Sequence, residues 1–71
     1  MTIQQAIRKH IPDRNMRIRI GMAIERRSID LISVKEFNDT YDHESIMQFH
    51  NIGKGAADLL TEVIQKELQT N

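Results

Sequence analysis

The chain contains no cysteine, so neither a disulfide scaffold nor a thiolate metal site can be built, and a reducing cytosol is the expected setting. Aromatic residues are scarce as well, with one tyrosine and two phenylalanines. Tyr41, Phe37 and Phe49 are too few and too scattered for a base-stacking platform, and core packing accounts for them. No linker, low-complexity tract or internal repeat interrupts the sequence. No apolar run approaches bilayer length, and the opening Met1-Thr2-Ile3-Gln4-Gln5 has neither the basic nor the apolar segment of a signal peptide. The expectation is a cytoplasmic protein without a membrane partner. At 71 residues it is expected to form one small domain, residues 1–71, stable only if compact and helical.

Catalytic equipment is also missing. His10, His43 and His50 lie far apart, and none belongs to a His-Glu-x-x-His spacing that would seat a metal on one helical face. His43-Glu44 reads as a surface pair beside a helix cap. A deep pocket for a flipped base needs more chain than is present. A non-enzymatic protein with no metal and no cofactor is expected.

What the sequence does contain is helical periodicity nearly throughout. Thr2 with Gln5 makes a capping box, and Ile3, Ala6, Ile7, His10 and Ile11 recur at helical spacing until Pro12 stops the segment. A second helix is expected from Asp13 or Asn15 to about Arg27, with Met16, Ile20, Ala23 and Ile24 buried. Met16, Ile18 and Ile20 also alternate with arginines as a strand would, but no partner strand is visible. Ser33-Val34-Lys35-Glu36 is a second capping box, opening a short helix that buries Val34 and Phe37. Asp42 caps the next, with Glu44 at its positive end and Ile46, Met47 and Phe49 facing inward. Ala56, Leu59, Leu60, Val63, Ile64 and Leu68 mark a final helix of about four turns. The expected class is all-α: a compact bundle of about four or five short helices with a C-terminal helix-hairpin-helix element over residues 43–68.

Formal net charge is zero, yet the signs are segregated. Seven basic residues up to Arg27 face Asp13 and Glu25, a balance of +5, whereas three lysines from Ser28 onward face eight acids, a balance of −5. Either the basic half meets phosphates or an acidic protein surface, or the two halves attract each other across the fold. Arg14, Arg17, Arg26 and Arg27 are the candidates for a basic docking face.

The segment that points to a function is His50-Asn51-Ile52-Gly53-Lys54-Gly55-Ala56-Ala57-Asp58-Leu59-Leu60. Asn51 and Gly53 enter the left-handed region at little cost, so a sharp turn is expected with Ile52 dropping into the core between them. A β-branched side chain at Gly53 would then be strained. Lys54 begins a helix whose first N–H groups lack partners and suit a phosphate.

The order of a small turn former, an aliphatic, Gly, three variable residues, Ala57 and then Leu60 resembles the second half of a helix-hairpin-helix motif, with Ser45-Ile46-Met47-Gln48-Phe49 as its first helix. Asn51 stands where most such motifs have Gly. Asparagine followed by aliphatic-Gly-Lys resembles instead the C-terminal domain of the bacterial RNA polymerase alpha subunit. The resemblance spans about residues 17–68: Ile18-Arg19 as the aliphatic-Arg pair at a helix start, Ile24, Ile29, Val34 with Phe37, Asp42 to Phe49, and the Asn51-Ile52-Gly53-Lys54 turn. It implies that Arg19 enters a DNA minor groove and that Asn51, Gly53, Lys54 and Gly55 meet the backbone, which suits the negative potential of narrow A-tract grooves and the phosphate affinity of helix N-termini. Met22 stands where the family has asparagine, and Gly55 and Ala56 where it commonly has lysine and serine. Asp58 lies one turn further on. Weak, A·T-preferring duplex binding is therefore what the resemblance implies.

The expected function is a small non-enzymatic binding module of transcription, resembling a free-standing C-terminal domain of the polymerase alpha subunit, that meets double-stranded DNA, RNA polymerase or a regulator. The alternative is a helical protein-interaction module without DNA binding, docking through its basic N-terminal half. Self-association into a homo-oligomer would add stability to so small a core.

Overall fold

Side-chain caps decide where the helices of this chain begin. In the computed structural model, which describes residues 1–69, five helices form: α1 Ile3–His10, α2 Arg14–Arg26, α3 Val34–Thr40, α4 His43–Met47 and α5 Lys54–Gln69. Residues 70 and 71, counted in the expected domain, lie outside the described residues. Thr2 caps α1 with a complete box, its hydroxyl accepting from the Gln5 N–H at 3.2 Å while the Gln5 side chain accepts from the Thr2 N–H at 3.0 Å. After Pro12, the Asp13 carboxylate accepts from the N–H groups of Asn15 and Met16, so the Met16–Ile20 stretch is helical and not a strand.

Ser33 caps α3 by accepting from the Glu36 N–H at 3.0 Å. Only half of the expected box forms, because the Glu36 side chain makes no return bond to Ser33; Ser33 is exposed, and water can serve its N–H. The first N–H groups of α1 and α3 are instead satisfied across the fold. Thr2 and Ser33 form an isolated antiparallel bridge in which Ile3 donates to the Ile32 carbonyl at 2.8 Å and Val34 donates to the Met1 carbonyl at 3.1 Å. Two helix starts are thereby tied together.

The end of α2 holds a conformation that the sequence does not announce. Ser28 lies in the left-handed region at φ 57°, with its N–H donating to the Glu25 carbonyl at 2.9 Å and the Ile29 N–H reaching back to the Ile24 carbonyl at 3.3 Å. This is the Schellman arrangement, and its usual occupant at that position is glycine.

The seventeen buried side chains among the described residues are all aliphatic or phenylalanine, and no polar or charged side chain is buried with them. α5 supplies Ala56, Ala57, Leu60, Val63 and Ile64 and packs against each of the other four helices. The expected core holds with corrections: Met16 and Leu59 pack against it only partly buried, Leu68 is 36% exposed, and Met47 turns outward. Met47 is 40% exposed, because α4 is little more than one turn long and can turn only Ile46 fully inward. Phe49, just past the end of α4, is buried against Phe37 and the half-buried Tyr41 in a cluster whose ring centroids lie 5.0 to 6.3 Å apart.

The far ends of α1 and α5 are pinned by Glu67. Its carboxylate lies 2.7 Å from His10 Nε2 and 3.4 Å from Lys9 Nζ, and the hydrogen bond to His10, aided by Lys9 and opposed by desolvation, holds the group below its ordinary value. A carboxyl held low in the folded chain adds stability above its unfolded value, and that stability is lost as pH falls through the folded value. Stability should therefore decline below about pH 4.5, the ordinary value of the group. Urea melts across that range should show a smaller acid loss for Glu67→Gln than for the wild type. Ser28→Gly should raise stability by about 0.5–1 kcal/mol in the same assay, because it relieves a left-handed serine at modest entropic cost.

Candidate nucleic-acid interface

The hairpin between α4 and α5 is built from its two ends. At the start of α4 the Asp42 carboxylate accepts from the Ser45 N–H at 2.8 Å; the backbone and side-chain hydrogen bonds from Ser45 hold it below the usual aspartate value. The last turn of α4 tightens, with Gln48 donating to the Ser45 carbonyl and Phe49 to that of Ile46. A β-turn then runs from Phe49 to Ile52, closed by the Ile52 N–H on the Phe49 carbonyl at 3.1 Å. Asn51 occupies its third position at φ 63°, where glycine or asparagine is required. Ile52 drops into the core at 6% exposure. The sharp turn around a buried isoleucine is as expected.

Gly53 departs from expectation. No glycine of the described chain has positive φ, and a Cβ at Gly53 would meet nothing within 4 Å. Asn51 alone absorbs the left-handed conformation, so Gly53 needs neither backbone freedom nor close packing. Its carbonyl accepts the first bond of α5, from Ala57 at 2.9 Å. With no side chain at position 53 to cap the helix, the N–H groups of Lys54, Gly55 and Ala56 have no partner among the described residues, whereas every earlier helix carries a side-chain cap. Lys54 and Gly55 are exposed.

Asp58 is partly engaged. Its carboxylate lies 2.6 Å from His43 Nε2, across the groove between α4 and α5, so it clamps the two arms of the hairpin together as well as complementing the α5 dipole. The cation that the fold brings to the hairpin is Arg27, whose guanidinium carbon sits 4.2 Å from the centre of the Phe49 ring, a cation–π contact.

Arg19 lies elsewhere. α2 opens at Arg14, because Asp13 caps it immediately after Pro12, so Ile18-Arg19 falls more than a turn past the helix start that the resemblance implied. Arg19 is exposed and shares a face with Arg26, seven residues on and roughly 10 Å along the axis. Arg14 and Arg17 line a different surface, the concave face between α1 and α2, together with Arg8. The basic residues are thus split between two flanks of α2.

Among the described residues every ion pair involves lysine or histidine, and none of the six arginines pairs with a carboxylate. Ion pairing between the halves accordingly rests on Lys9, His10 and Glu67, and apart from Arg27 on the Phe49 ring the arginines are left to solvent or a partner. Sequence reasoning did not single out Arg8, Gly21 or the Arg27–Phe49 contact. A glycine in mid-helix beside exposed apolar residues was the available signal for the second; the others depend on tertiary packing alone. Comparison of the chain with protein-family models, curated proteins and solved structures gives no match.

Thermal melts should separate the two turn residues. Asn51→Ala should lose about 1 kcal/mol by forcing alanine into the left-handed region, whereas Gly53→Ala should stay within about 0.5 kcal/mol of the wild type.

Proposed function

We propose that the chain is a small non-enzymatic binding module acting in transcription, as its resemblance to the C-terminal domain of the polymerase alpha subunit implies, and that it meets double-stranded DNA through the hairpin. The observation that carries this reading is the start of α5: three unpartnered N–H groups and the exposed Lys54 just past the turn at Asn51, with Arg27, at the end of α2, held on Phe49 of the same hairpin. Outward N–H groups and a helix dipole favour a phosphate, and nearby cations add to it. Arg19, further along the same face of α2 as Arg26, is the candidate groove reader. Affinity is modest, since few phosphates are neutralised and Asp58 stands one turn from Lys54.

A second reading is a protein-docking module without DNA affinity. The exposure of Ile18 and Met22 among the arginines of α2 favours it.

Titration with A·T-rich and mixed duplexes over a range of salt tests the first reading. Arg19→Ala should erase an A·T preference, because groove width depends on sequence. Lys54→Ala should weaken all duplexes alike and flatten the slope of log affinity against log salt by roughly one unit. A wild-type chain that binds no duplex at low salt leaves protein docking as the function.

A further inference from the structure

Ile18 and Met22 are 48% and 60% exposed, one turn apart on the solvent face of α2 and in register with Arg14. They border a groove of about 560 Å³ between α1 and α2, where Arg8, Arg14 and Arg17 stand together at the corner joining the two helices. None of these arginines has an ion-pair partner among the described residues. The groove is polarised along its length. Its acids, Glu25 and Asp30, lie toward the start of α1, where Gln4 reaches Glu25 at 3.5 Å and its N–H donates to the Asp30 carbonyl at 3.3 Å.

Gly21 lines the same groove. A glycine inside a helix is destabilising relative to alanine, and packing within the fold does not require this one, because a Cβ there would meet no atom within 4 Å. Its effect is to leave room. An incoming backbone or side chain can approach α2 closely between Ile18 and Met22.

We propose that the α1–α2 groove docks an amphipathic helix of another protein, its apolar stripe laid on Ile18, Gly21 and Met22 and its carboxylates turned to Arg8, Arg14 and Arg17. The apolar floor selects protein over nucleic acid, since a phosphate backbone offers nothing to cover isoleucine and methionine. The arginine corner selects acidic partners and fixes the direction in which they lie. This inference gives the protein-docking reading its partner chemistry, and it is independent of DNA contact at the hairpin.

The test is an amide chemical-shift titration of the whole chain with a synthetic helical peptide of about four turns, bearing leucines at i, i+4 spacing and glutamates in one terminal turn. Saturable shifts at Arg8 and along 14–22 are expected. Ile18→Glu and Met22→Glu, both at exposed positions and checked for folding by circular dichroism, should each weaken binding about tenfold or more. Gly21→Ala should melt a few degrees higher, roughly what its helix propensity implies, yet bind the peptide more weakly, an opposition that a merely structural glycine does not produce. Duplex DNA is expected to leave the groove amides of Arg8, Arg14 and Arg17 unmoved, whatever it does around Arg19 and at residues 51–57. Equal binding of a lysine-for-glutamate peptide, no shifts with the glutamate peptide, groove shifts that track protein concentration alone, or groove shifts induced by duplex would each overturn the proposal.

Discussion

An apolar helix that must be covered from several directions at once organises this chain. α5 carries buried residues at 56, 57, 60, 63 and 64, a stripe too wide for one partner, and the other four helices are short enough to be placed around it. Since no polar side chain is buried among the described residues, directional bonding between side chains has no part in the interior. Specificity of arrangement falls to the helix ends, where orphan N–H groups must be answered. Four of the five starts are answered by side chains, and the exception is the start of α5, held in place by the turn at Asn51 and by the buried Ile52.

The functional surfaces follow from that division. α2 gives Ile20, Ala23 and Ile24 to the core, lays Met16 partly against it, and presents most of the rest to water, including five of the six arginines counting its C-cap. Because the end of α2 is drawn onto Phe49 by Arg27, one arginine group is fixed beside the hairpin. Because α1 packs alongside α2, the other is gathered with Arg8 into a corner. A neutral molecule thus carries two basic flanks separated by an apolar stripe, a pattern invisible to net charge.

Much of the architecture was legible in the sequence because it is local chemistry: a hydroxyl or carboxylate followed three residues later by a helix N–H, a proline that stops α1, an aliphatic between two turn formers. The same logic found the hairpin and misplaced its strain. Asn51 and Gly53 are both permissive, and only the closed turn decides that the first is left-handed and the second is not. Ser28 escaped notice for the complementary reason: an ordinary residue is held left-handed by two backbone hydrogen bonds and the neighbouring Ile24 and Ile29. The position of Arg19 within α2 turned on where the Asp13 cap starts the helix. Apolarity alone turns Met47 inward, and the brevity of α4 decides otherwise. Functional residues on α2 were the least legible, since exposed arginines carry no pattern until their neighbours in space are known.

The pairing of α1 with α5 through Glu67 joins residues nearly sixty positions apart, and it bears on how the domain comes to be folded as it is made. The apolar face of α1, Ile3, Ala6 and Ile7, leaves the ribosome well before the helix that covers it. Closing so long a loop is an entropic step that the packing of α1 on α2 and α3 offsets only in part. Until then α1 has only α2 and α3 for cover, and its own N-terminal bonds wait for residues 30 to 33. Cooperative folding that waits for α5 is accordingly expected of a core arranged in this way.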